Sequence, residues 1–294
     1  AFEKGKNEFT YAEGSPGMVA DAAAAAKDIM AALQAGNTGP IDISAIAGQP
    51  QFGMDELKEN SQLVGEVKTN LAGNGARKNN ILLGCEQLHG YEILPGQTIS
   101  LRNIMGELTT DKGYAEASTE ADGENGSAVG GGVAQVYGTL YNAALLGNME
   151  IVERYHHTFV SSYLPPGLDA KVDGDLKDLR LKNTSEHPLY VSAVIEGDEL
   201  VVRLYGQPLA ADSRIEIETE ITGEFKPGEE DTQYTEDLPE GQRKQLQAAK
   251  TGYEVSVYRQ HYLAGELVES EEVSKDVYSS QKAVVMEGTA KGGK

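Results

Sequence analysis

Three consecutive glycines run straight into an amphipathic helical pattern at Gly130-Gly131-Gly132-Val133-Ala134-Gln135-Val136-Tyr137-Gly138-Thr139-Leu140-Tyr141-Asn142-Ala143-Ala144. Glycine opens backbone conformations closed to other residues and leaves its N–H group bare. The helix behind the glycines aims its positive dipole end at the same point. Such a junction lowers the pKa of a nucleophile and holds a developing oxyanion. The residue at the helix entrance is Ala134, whose methyl group can do neither. The single thiol of the chain, Cys85, sits among Leu82, Leu83 and Leu88 and reads as inert core. Among five histidines, the adjacent His156 and His157 stand out, because imidazole titrates near neutral pH without perturbation. On an extended segment their side chains point to opposite sides. They lack a cysteine or carboxylate at ligand spacing, so neither a metal nor a cofactor is expected. His89, His187 and His261 read as ordinary surface residues.

The elements that must position these groups divide the 294 residues into three parts, in keeping with the two or three domains such a length suggests. Residues 1–70 read as part of a small α+β unit. Residues 8–11 alternate like a strand and end at Gly14-Ser15-Pro16-Gly17; residues 18–35 have helical composition and stop at Gly36-Asn37. Residues 41–46 alternate as a strand, and 54–63 read as a short helix. In the middle part, 71–210, a helix is expected over 81–88, a strand over 98–101 and a polar loop over 118–132. Helix 134–146 follows, then a hairpin of strands 189–196 and 200–206 joined by Gly197-Asp198. Residues 211–290 alternate polar and apolar between turns, which predicts an elongated, independent β module. Gly292-Gly293 reads as a disordered tail. The fold class is therefore α+β.

A formal net charge of −21 repels phosphate, so nucleic acid and anionic lipid are not expected partners. The same charge is what a soluble acidic surface looks like. One cysteine excludes an internal disulfide, which fits the cytosol and equally fits secreted proteins of organisms that avoid disulfides. No segment approaches the ~20 apolar residues of a membrane span, and no secretory leader is read at Ala1.

A series of spaced motifs then carries a resemblance. Asn79-Asn80-Ile81 is followed by Pro95-Gly96-Gln97-Thr98-Ile99-Ser100 and Gly113-Tyr114-Ala115-Glu116-Ala117. After the Gly130–Ala144 segment come Ile151-Val152-Glu153-Arg154, His157-Thr158, Gly167-Leu168-Asp169-Ala170 and Asp178-Leu179-Arg180-Leu181-Lys182-Asn183. In this order, the middle region resembles the VanW family, named for an accessory protein of vancomycin-resistance clusters. Residues 1–70 resemble the end of the small peptidoglycan-binding domain that often precedes it. Residues 211–290 look like a G5 module, a strand-rich extracellular domain associated with cell-wall glycans.

The resemblance implies an extracellular protein of a Gram-positive cell wall, at the cell surface or anchored to the membrane through a segment outside this chain. Its implied partners are peptidoglycan stem peptides and glycan strands; the number of subunits stays open. Some VanW domains are associated with L,D-transpeptidation, in which a cysteine thiolate attacks the carbonyl before a terminal D-alanine and a second stem resolves the thioester. The family cysteine falls at Ala134. Either a cysteine was replaced there, or the chain is a relative that binds stem peptides without turning them over. The resemblance makes His157 the candidate general base, against a reading as a surface histidine after a strand. Asp169 or Asp178 would orient it, although either could equally close a turn or pair with an arginine. Arg154 and Arg180 are candidates to hold a peptide carboxylate, and Gly131, Gly132 and Gln135 to hold an oxyanion. The rival readings are a binding protein or resistance accessory that catalyses nothing, and a purely structural spacer.

Overall fold

The computed structural model describes residues 10–11, 15–48, 50, 52–119, 126–174 and 176–290. The expected strand over 8–11 lies mostly outside these residues, and the Gly292-Gly293 tail wholly so. The chain divides into two compact units near residue 60.

In the first unit, β1 (Gly17–Ala20) precedes α1 (Ala22–Gln34), and β2 (Ala45–Gly48) returns antiparallel to β1 before the short α2 (Met54–Glu59). The helix begins at Ala22 rather than residue 18 because Asp21 caps it. Its carboxylate accepts from the N–H groups of Ala23 and Ala24 at 3.0 Å, which meets two of the orphan donors of the first turn. The pairing with β1 places the second strand at 45–48 rather than 41–46. Ala25 is the one buried residue of α1, so this unit has little core of its own among the described residues.

The second unit opens with β3 (Gln62–Asn70), α3 (Gly75–Leu88), β4 (Tyr91–Ile93), β5 (Thr98–Ser100) and α4 (Leu101–Met105). A hairpin of β6 (Glu116–Thr119) and β7 (Gly126–Val129) leads to α5 (Val133–Leu146). Then come β8 (Glu150–Glu153), β9 (Arg180–Lys182), β10 (Leu189–Glu196) and β11 (Glu199–Gly206). An antiparallel sheet in the order β3-β11-β10-β4 forms the base, with the β10–β11 hairpin turning through Gly197-Asp198. Gln62 is thus already a sheet residue, which explains why α2 ends at Glu59.

Helices α3 and α5 pack against this sheet and each other. Because α5 lies between the sheet and the loops beyond it, twelve of its residues are buried, as expected of a helix apolar nearly all round. Gly65 of β3 allows the close approach: a Cβ there would lie 2.5 Å from the carbonyl oxygen of Ala143. Ile81, Leu88, Leu140, Leu181 and Val202 belong to the resulting core.

Six strands complete the chain: β12 (Ser213–Phe225), β13 (Asp231–Pro239), β14 (Arg243–Gln247), β15 (Gly252–Leu263), β16 (Glu266–Tyr278) and β17 (Val284–Ala290). They form two three-stranded sheets, β12-β15-β16 and β13-β17-β14, the second containing a parallel β13–β17 pair. No helix among the described residues is long and apolar enough to cross a membrane.

Candidate functional site

A cleft of about 300 Å³ opens where the glycine run meets α5. Gly130 to Ala134, Arg77 of α3, His157, Tyr163 and Lys171 are among the residues that line it. The glycines are required by close packing. A Cβ on Gly131 would lie 2.3 Å from the carbonyl oxygen of Ala117, and Gly132 has φ +107°, where side-chain-bearing residues are strained. Asn80 fixes this loop. Its Nδ2 donates to the carbonyls of Ala115 at 2.8 Å and Gly131 at 3.0 Å, while its Oδ1 accepts from the Ala115 N–H at 2.8 Å.

The backbone donors of the junction divide into engaged and open ones. Gly131 N–H donates to Ala128 O, Val133 N–H to Gly130 O and Gln135 N–H to Gly132 O. The N–H groups of Gly132 and Ala134 have no protein acceptor among the described residues. Ala134 itself is half-buried on the cleft wall. Of the two glycines singled out as oxyanion donors, Gly132 therefore has an open N–H and Gly131 does not.

His157 is 3 % exposed, not a surface histidine, and is held from one side. Its Nδ1–H donates to Asp169 Oδ2 at 2.5 Å, and its backbone N–H donates to the same oxygen at 2.7 Å. This fixes the tautomer and leaves Nε2, which has no partner among the described residues, on the ring's other side. Burial would push the Asp169 carboxyl up, but hydrogen bonds from His157 and Tyr278 and the charges of Arg154 and His157 hold it below the usual carboxylate range. Asp178 does not touch the histidine. It accepts from Ser100 Oγ at 2.5 Å and from the Arg102 N–H at 3.0 Å, capping α4.

The two arginines expected to hold a carboxylate are elsewhere. Arg154 has a side chain 5 % exposed and is fully engaged: Nε donates to Asp169 O, Nη2 to Gly167 O and Asp169 Oδ1, and Nη1 to Asp276. It also lies over the Tyr141 ring at 5.1 Å. Arg180, on β9, faces Glu153 at 3.9 Å and is absent from the cleft wall. Gln135 turns its amide inward, where Oε1 accepts from Arg77 and Nε2 donates to Thr69 Oγ1 and Asn70 O, so the side chain is not a solvent-facing donor. His89, His187 and His261 are half-buried rather than exposed. Cys85 lies in the core, where burial and the nearby Glu86 push its thiol up to about 12. No group of three or more His, Cys, Asp or Glu among the described residues is placed to hold a metal ion.

Three residues that sequence reasoning missed complete the arrangement. Arg77 reaches the cleft from α3. Tyr278 and Asp276, at the end of β16, come from the strand-rich module: Tyr278 O–H donates to Asp169 Oδ1 and accepts from the Gly167 N–H at 2.8 Å, and Asp276 pairs with Arg154. Burial and the Asp169 charge push the Tyr278 phenol up, so it remains a donor at all ordinary pH values. The one signal for Arg77 was its place two residues before the Asn79-Asn80 pair. Nothing local marks Tyr278, which is 109 residues from Asp169.

Residues 76–205 match the family model described as VanW like protein, and residues 217–290 match the G5 domain model. The chain is 33% identical over 157 residues to the uncharacterized protein YoaR of Bacillus subtilis (strain 168), covering 50% of this chain and 52% of that protein. It is 24% identical over 139 residues to the vancomycin B-type resistance protein VanW of Enterococcus faecalis (strain ATCC 700802 / V583), covering 45% and 50%. The chain thus spans about half the length of these relatives. Among solved structures, the G5 domain of IgA1 protease matches 26% of this chain and 93% of its own at 25% identity and a TM-score of 0.18. HP0197-G5 matches 26% and 100% at 24% identity and a TM-score of 0.15.

Proposed function

From a chain that carries a VanW-like domain followed by a G5 domain, we propose a cell-wall-associated protein whose cleft holds a peptidoglycan stem peptide in the frame of an L,D-transpeptidase. The observation that carries this reading is the convergence of Ala134, the open N–H groups of Gly132 and Ala134, and His157 on one cleft. A carbonyl seated at the Ala134 methyl would direct its oxygen at two backbone donors and the positive end of α5. In the Ala134→Cys variant, the thiol proton passes to His157 Nε2 and the sulfur attacks that carbonyl. The tetrahedral oxyanion collapses, His157 returns the proton to the departing amine, and D-alanine leaves a thioester. The amine of a second stem then displaces the sulfur and restores the thiol. Asp169 keeps the imidazole oriented and stabilises its protonated form throughout.

With alanine in place, the frame binds and does not turn over. The native chain is therefore a stem-peptide binder at the cell surface, and its G5 domain is a second contact with wall glycan. The experiment is to incubate the Ala134→Cys variant with a disaccharide-tetrapeptide muropeptide and follow the products by mass spectrometry. Release of D-alanine or a 3-3 linked dimer, absent with the native chain, is the expected result. An inactive variant that folds normally and binds no muropeptide, beside a working control transpeptidase, would remove the reading.

A further inference from the structure

The cleft contains a cation that the acyl-transfer chemistry does not use. Arg77 is 3 % exposed, and two of its three nitrogens are fixed: Nε donates to Ala72 O at 3.1 Å and Nη2 to Gln135 Oε1 at 2.9 Å. The guanidinium lies over the Tyr163 ring at 5.9 Å, and Nη1, which has no hydrogen-bond acceptor among the described residues, belongs to a side chain that lines the cleft. Its place is beside the glycine junction, since a Cβ built on Gly132 would lie 2.8 Å from Nη1. His157, itself 3 % exposed, lines the same cleft. The negative charge nearby, Asp173, is paired with Lys171 at 3.4 Å, and both belong to the cleft wall.

A buried guanidinium with one nitrogen left open, pre-set by two hydrogen bonds, is built for an anionic oxygen rather than for a neutral amide. We propose that Arg77 Nη1 forms a subsite for the terminal carboxylate of the bound peptide, leaving the Gly132 and Ala134 N–H groups to the carbonyl oxygen. This inference rests on the acyl-peptide reading of the cleft and adds the residue that recognises the peptide's free end. A cleft with such a subsite accepts a free chain end and disfavours a peptide that continues or is capped. Fixing Arg77 through Gln135 also gives the neighbouring family motif a purpose that an oxyanion role did not supply.

The test uses the native chain and isothermal titration calorimetry with two synthetic peptides, L-Ala-γ-D-Glu-L-Lys-D-Ala as the free acid and as its C-terminal amide. The free acid is expected to bind at least tenfold tighter than the amide. In Arg77→Gln the two peptides are expected to bind alike, whereas Arg77→Lys should recover part of the preference. Thermal melting and the NMR signals of the His157 ring confirm that each variant is folded with its cleft intact; a variant that fails there is replaced by Arg77→Met. Equal binding of acid and amide by the native chain overturns the subsite while leaving the peptide-cleft reading in place. A preference that survives in folded Arg77→Gln overturns it as well. Binding of neither peptide overturns both.

Discussion

Ala134 and Cys85 show how little a residue type says without its surroundings. Cys85 is the chain's one thiol, but burial raises its pKa to about 12 and keeps it protonated. Ala134 is chemically silent and lines the same cleft as Gly132 and His157. In an Ala134→Cys variant, iodoacetamide at pH 8 is expected to label position 134 at least 100-fold faster than Cys85, as read by peptide mapping; labelling of Cys85 at a comparable rate would contradict this assignment. Asp169 makes a second prediction at this scale. Its carboxyl is held below its ordinary value in the fold. Its ionised form therefore stabilises the fold above an unfolded pKa of about 3.9, and that stability is lost as pH falls through the lower folded value. Asp169→Asn should cost about 1.5–3 kcal/mol at pH 7 by removing one of the two carboxylates paired with Arg154. It should also flatten the loss of melting temperature below about pH 4, which calorimetry at pH 7 and pH 3 checks. The pairing of His157 with a carboxylate was open between Asp169 and Asp178 in the sequence. Local pattern cannot separate them, because each lies in an irregular segment and the choice depends on how these segments fold over α5.

The element that organises the site is the glycine run with α5. Its existence and limits were legible, since a 3.6-residue apolar period bounded by Gly132 and Gly147 leaves few alternatives. The hairpin at 189–206 was equally legible from its alternation and its Gly197-Asp198 turn. Less legible were elements set by partners distant in sequence. Residues 62–63 continue no helix because β3 pairs with β11, and the first strand of the chain's small unit claims residues that have helical composition. The arginine assignments failed for the same reason. Arg154 carries no local mark of the four carboxyl and carbonyl oxygens that absorb it, and Arg77 none of the loop it supports. Two substitutions test the close packing. Gly65→Ala would press a methyl against the Ala143 carbonyl, and Gly132→Ala would strain a positive φ against Arg77. Each is expected to lower stability by about 1–3 kcal/mol in chemical denaturation. A neutral result for Gly65→Ala would mean that β3 and α5 lie farther apart than described.

At the scale of the whole molecule, the strand-rich module is more than a second contact surface. Tyr278 reaches Asp169, which holds His157, Asp276 pairs with Arg154, Arg259 Nη1 donates to Met149 O at 2.8 Å, and the Ser279 N–H donates to Thr158 O at 2.9 Å. Residues 60–290 are therefore expected to unfold in one cooperative transition. Removing residues 212–290 would leave Arg154 and Asp169 without two of their partners. Tyr278→Phe removes one donor to Asp169 and the acceptor of the Gly167 N–H, and should cost about 1–3 kcal/mol. Two separated transitions in calorimetry would show that the module folds on its own and that this junction contributes little.

The most direct measurement places the peptide. The native chain, labelled with 13C at alanine methyl groups and at histidine rings, is titrated with the tetrapeptide L-Ala-γ-D-Glu-L-Lys-D-Ala and followed by NMR. The Ala134 methyl and the His157 ring are expected to shift together along one saturable curve, with methyls remote from the cleft unmoved. Saturable binding that leaves both of these signals in place would contradict the account, because the peptide would then sit somewhere other than at the mouth of α5.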